Sequence, residues 1–234
     1  MKLVEIEKRY KYKFPKLFNE LWQDGMLDWM NGRTTPFGRD ESWATTVYPK
    51  IKSNPPLLLH SGGFDFELLR AEEILDFQFD ELWDIDKHEF IPFAKTEEGD
   101  IYAFYKNIKS DDGQNVIVHI WNDMNETEII AKNFEDFIFR KMLESVYDID
   151  KEDLKADYKE GGFEEYRIDI LNDLKTVKPY LNTAYGELLV KLYYRKTVID
   201  NIFSYGLVTQ KELVDIIQKY LSFDELDLIF EHEL

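Results

Sequence analysis

Hydrophobic residues recur at helical spacing where the chain begins, cluster or alternate through its middle, and return to helical spacing towards its end. Leu3, Ile6 and Tyr10 share one face of a short amphipathic helix over residues 2–12. Leu17, Phe18, Leu21 and Trp22 form the stripe of a second helix. Pro15 suits its first position, where no donor is needed, and Gly25 is its stop. Residues 31–63 are punctuated by glycine and proline and read as irregular, with short strands expected at 43–48 and 57–60.

Phe64 to Leu69 reads as a strand and Ala71 to Leu75 as a helical turn. Phe90 to Ala94 is extended, because Pro92 keeps Ile91 out of the helical region. A turn at Thr96 to Asp100 leads to an aromatic strand, Ile101 to Tyr105. Asp111-Asp112-Gly113 makes another turn before Val116 to Trp121, so these last two strands are expected to pair antiparallel. Asn133 caps a helix whose apolar face is Phe134, Phe137, Ile138, Met142 and Leu143. Beyond residue 148 only helical periodicity is evident. Helices are expected at Phe163 to Leu174, at Tyr180 to Tyr205 closed by Gly206, and from the capping box Thr209-Gln210-Lys211-Glu212 to Leu221. A second box, Ser222-Phe223-Asp224-Glu225, opens a terminal helix. The expected fold class is α+β: an antiparallel sheet flanked by helices over 1–147, and an all-helical C-terminal extension over 148–234.

Composition narrows the function. With 44% hydrophobic and 15% aromatic residues the chain can bury a proper core. It has no cysteine, which removes disulfides, thiol catalysis and Cys-ligated metal sites. The charged N-terminus lacks a signal-peptide core, and no apolar run approaches membrane-spanning length, so a cytoplasmic location is expected. A net charge of −18 disfavours nucleic acid as a partner and favours a basic protein.

Candidate chemistry is sparse. His60, His88, His119 and His232 are not spaced as metal-ligand pairs, and His119 reads as a satisfied sheet residue. Asp148-x-Asp150-x-Glu152 starts like a calcium loop, but Asp153 stands where glycine is needed and Lys159 where the closing glutamate belongs. Asp123-x-Asn125-x-Thr127 fails in the same way at Glu128 and Phe134. Neither a Gly-x-Ser-x-Gly elbow nor a phosphate-cradling glycine motif is present, so no catalytic residue, metal or cofactor is expected. A carboxylate-pair hydrolase remains the weaker alternative.

Several segments together resemble the SMI1/KNR4 family, also called the SUKH superfamily, over roughly residues 1–146. They are the Phe14-Pro15 helix, Glu72-Glu73-Ile74-Leu75, Phe90-Ile91-Pro92-Phe93-Ala94, then Gly99-Asp100-Ile101-Tyr102, and Asn133-Phe134-Glu135-Asp136-Phe137. The Phe-Pro helix ends in Asp24-Gly25 where the family pattern has Asn-Gly. The resemblance implies a single α+β domain that works by binding. Many bacterial members are immunity proteins that neutralise partner toxins, often nucleases, and others are regulatory or scaffold proteins. The candidate partner-binding residues are Trp83, Asp84, Asp86, Glu97, Glu98, Asp100, Asp111, Asp112, Asp123 and Glu126. If their loops share one edge, they form an acidic patch with Trp83 and Trp121 as aromatic anchors.

Overall fold

The computed structural model describes residues 3–30, 43–62, 66–158, 162–198, 203–221 and 229–233. In chain order its elements are α1 (Leu3–Tyr10), α2 (Lys16–Gln23), α3 (Trp43–Thr46), α4 (Tyr48–Ile51), β1 (Glu67–Leu68), α5 (Ala71–Asp76), β2 (Phe90–Lys95), β3 (Ile101–Lys109), β4 (Asn115–Ile120) and β5 (Thr127–Ala131). There follow α6 (Phe134–Glu144), β6 (Ile149–Asp150), α7 (Lys151–Tyr158), α8 (Gly162–Val177), α9 (Thr183–Tyr193), β7 (Ser204–Tyr205), α10 (Gln210–Leu221) and β8 (Ile229–Phe230). The fold is α+β. Contacts divide the chain into two compact units, one of residues 1–27, 64–137 and 221–234, the other of 28–63 and 138–220.

The first unit is built on a six-stranded antiparallel sheet in the order β1-β2-β3-β4-β5-β8. Both faces of its central strands are covered. On one face Phe93 and Phe104 pack among Phe14, Phe18, Phe134 and Phe137, with ring centroids 4.3–5.9 Å apart in stacked, tilted or edge-on arrangements. On the other face Phe90, Ala103, Tyr105, Val116, Val118 and Ile120 form a core closed by Phe77, Phe79, Trp83 and Phe230. Two-sided burial explains why Val116 to Ile120 reads as a continuous apolar run without alternation.

Strand β5 has no counterpart in the sequence reading. Its run of Ile129-Ile130-Ala131 is too short to separate strand from helix by periodicity, and pairing with β4 decides it. Strand β8 is likewise a tertiary product: two residues near the end of the chain close the sheet beside β5.

The second unit is mainly helical, with the small β6-β7 pair. Phe139 stacks on Tyr185 at 3.9 Å between centroids, and the Tyr193 and Tyr166 hydroxyls donate to the carbonyls of Met142 and Ser145. The strand expected at 43–48 is instead α3 and the start of α4. Pro49 cannot donate to a sheet ladder but fits a first helical turn. The strand expected at 57–60 is a buried turn, with Leu58 at φ +56° and Gly62 N–H donating to the Leu58 carbonyl. The long helix expected from Tyr180 to Tyr205 is shorter at both ends. Asn182 caps α9 by accepting from Tyr185 N–H, and after Tyr193 the chain turns, so that Val198 bridges Gly206 and Tyr205 pairs with Ile149. The Thr209 capping box is present: Glu212 N–H donates to Thr209 Oγ1, and Thr209 N–H to the Glu212 carboxylate. The Ser222 box lies outside the described residues.

Candidate partner-binding surface

The register of the meander decides which acidic turns meet. Lys95 pairs with Ile101, Ile101 with Ile120, and Ile120 with Thr127. The turn at 96–100 and the turn at 121–126 therefore lie side by side at one end of the sheet. Glu97, Glu98, Asp123 and Glu126 are exposed there.

A polar clamp fixes the two turns to each other. Asp100 is only 5% exposed, and its carboxylate accepts from Asn122 N–H at 2.9 Å and lies 3.0 Å from His119 Nε2. Asn122 returns a side-chain hydrogen bond to the Glu98 carbonyl. Gly99 sits between them at φ +99°, where a Cβ would approach the Asn122 side chain to 3.3 Å. His119 is a satisfied sheet residue, stacked on Tyr102 and in tilted contact with Trp121. Asp100 thus holds the surface together and is not part of its exposed face, which corrects the sequence expectation.

Trp83 also departs from expectation. It is 8% exposed, packs against Phe79, Phe90 and His232, and bridges Glu233, so it is a core residue and not an accessible anchor. Trp121 is half-buried beside His119. The Trp83 segment nevertheless reaches the acidic end. Asp84 N–H donates to the His232 carbonyl, and the backbone N–H groups of His232 and Glu233 both donate to Asn125 Oδ1 at 2.8 Å. Asp84 is therefore linked through His232 to the turn at 121–126, and Asp86 is exposed two residues further on.

Asp111 and Asp112 belong elsewhere. They occupy the β3-β4 hairpin, at the opposite end of the strands. Asp112 is also committed locally. Burial pushes its carboxyl up, but hydrogen bonds from Ser110, Gln114 and Asn133 outweigh this and hold it below its ordinary value. One edge does not collect all the candidates. Sequence reading also missed Glu231 and Glu233, which are exposed on the terminal segment beside the acidic turns. Only the pairing of β8 brings them there.

Histidines tie that terminal segment down. His232 Nδ1 lies 3.0 Å from Thr127 Oγ1, and His88 Nδ1 lies 2.8 Å from the Tyr105 hydroxyl. Burial pushes both imidazoles below their ordinary values. Among the described residues no group of three or more potential metal ligands is assembled, and no helix is long and apolar enough to cross a membrane.

A model of the SMI1 / KNR4 family (SUKH-1) matches residues 2–140. No curated protein and no solved structure matches the chain.

Proposed function

We propose, from the premise that this chain belongs to the SMI1/KNR4 family (SUKH-1), that it is a non-enzymatic immunity-type protein whose acidic sheet end covers the basic active site or substrate groove of a toxin such as a nuclease. The observation that carries the reading is the shared placement of the 96–100 and 121–126 turns, with Glu97, Glu98, Asp123 and Glu126 exposed around the Asp100 clamp. An exposed acidic rim on a clamped pair of turns loses little freedom on docking and steers a basic partner.

Co-expression with the product of the adjacent upstream gene, followed by affinity capture, tests the reading. The expected result is a salt-sensitive complex with a toxic neighbour. Reversing Glu97, Glu98, Asp123 and Glu126 to lysine should slow association by about tenfold to a hundredfold. Reversing Asp111 and Asp112 should leave it nearly unchanged. Equal effects from both ends of the sheet would refute the assignment of the surface.

A regulatory or scaffold role is the second reading, favoured by the exposed Tyr194 and Phe203 in the second unit, at 71% and 69%. Aromatic residues left this open suit a docking surface. A Tyr194→Ser/Phe203→Ser variant that loses its captured partner, while the four-lysine variant keeps it, would favour this reading.

A further inference from the structure

Four lysines surround one cavity in a chain where acids outnumber bases by 47 to 29. Lys11, Lys13, Lys106 and Lys109 line a cavity of about 350 Å³, together with Tyr12 and Gln114, and among the described residues no acid lines it. It lies within the first unit, where the α1–α2 connection meets the β3-β4 hairpin, at the far end of the sheet from the Glu97 and Asp123 turns.

The backbone builds this concentration of charge in three ways. Lys11 adopts the left-handed conformation at φ +48°, unfavourable for a side-chain-bearing residue, where the chain leaves α1. The β3-β4 register shifts between Phe104 and Lys109, and Asn115 fills the irregularity by donating to the Tyr105, Lys106 and Ile108 carbonyls. Lys106 Nζ then reaches across to the Tyr10 carbonyl at 3.3 Å, tying the hairpin to the end of α1.

Two of the charges are already matched, Lys13 by Glu7 and Lys106 by Glu89. Lys11 and Lys109 have no ion-pair partner among the described residues, so two lysine charges that line the cavity are unmatched, while Asp111 and Asp112 stand on the same hairpin outside its lining. Close ammonium groups repel one another, and an anion between them would relieve that repulsion. At physiological salt the Debye length is about 8 Å, so an anion in the cavity feels these lysines and the neighbouring Asp111 and Asp112 more than the Glu97 and Asp123 turns.

We propose that this cavity is a binding site for a small phosphate-bearing anion. Its volume sits near the lower end for small-molecule sites, which suits a compact ligand. Lysine ammoniums bind phosphate as point charges, and a phosphate offers enough oxygens to engage several at once where a monocarboxylate does not. A nucleic-acid strand is disfavoured, because its extended polyanion would meet the chain's −18 charge beyond the cavity.

Calorimetric titration of the full chain with inorganic phosphate, pyrophosphate and AMP tests the site, with binding followed in parallel by lysine-side-chain NMR. Pyrophosphate is expected to bind saturably, one per chain, and to shift the Lys11 and Lys109 signals. A Lys11→Gln/Lys109→Gln variant, with its circular dichroism unchanged, should bind about tenfold more weakly or worse. AMP binding much more tightly than inorganic phosphate would identify a nucleotide source; equal binding would identify free phosphate, and both support the site. Absence of saturable binding of all three anions up to roughly 10 mM, or wild-type affinity in the double variant, would overturn the proposal.

Discussion

Replacing Asp173 by asparagine should change how stability depends on pH, with a sign and size set by its surroundings. Asp173 is fully buried in α8. Its Oδ2 accepts the backbone N–H groups of His60 and Ser61, at 2.9 and 2.5 Å, while Oδ1 has no hydrogen-bond partner. Burial pushes the carboxyl up to about 6, against the opposing pull of His60 and those N–H donors. A folded-state value raised from 3.8 means that folding favours the protonated form. The associated stability is fully present below about pH 4 and is lost as pH rises to about 6. A rise of this size corresponds to about 3 kcal/mol. Asparagine retains one oxygen to accept both N–H groups but does not titrate. The stability of Asp173→Asn relative to wild type should therefore rise by about 2–3 kcal/mol between pH 4 and pH 7. Parallel urea unfolding at several pH values, following intrinsic tryptophan fluorescence, measures that difference, and the chain's other carboxylates largely cancel in it. Hydrogen exchange at the His60 and Ser61 amides reads the site directly. A difference that stays constant with pH, or moves the other way, would refute the reasoning.

Other consequences follow from the first unit. Asp100→Ala leaves Asn122 N–H without its acceptor and should cost about 2–4 kcal/mol in urea unfolding, while Asp100→Asn, which keeps an oxygen there, should cost less. Gly99→Ala should cost about 1 kcal/mol or more, because φ +99° is unfavourable for alanine and the Asn122 side chain must give way. Phe104→Ala empties the middle of the aromatic cluster and should cost about 3–5 kcal/mol, read as a fall in melting temperature. The depressed values of His88 and His232 give stability that is present above pH 6.5 and lost as pH falls below it. Carboxypeptidase should therefore remove residues 229–233 faster at pH 5 than at pH 7.5, and a His232→Phe variant should lose much of that difference.

The sequence by itself determined the elements whose signals are local. Turn residues at Gly25, Gly99 and Gly113 take the positive φ that glycine permits. The Thr209 box and the Asn133 cap form as their side-chain chemistry dictates, with Asp136 N–H donating to Asn133 Oδ1. The segments Phe90–Ala94 and Ile101–Tyr105 are strands because apolar and aromatic residues suit a sheet covered on both faces. Family membership was legible for the same reason, since it rests on those segments in order.

Tertiary structure alone decided what lies next to what. Strand β5 exists because Ile117 and Val118 have partners at Ala131 and Ile129. The terminal residues become a sheet edge only because Asn125 and Thr127 receive His232. Trp83 and Asp100 look like surface candidates in sequence, because acids surround the one and a turn carries the other, yet packing puts both inside. Charge patterning identifies an acidic chain. The β-strand register, which acts across the sheet and not along the chain, determines that Glu97 and Asp123 share an end while Asp111 and four lysines occupy the other.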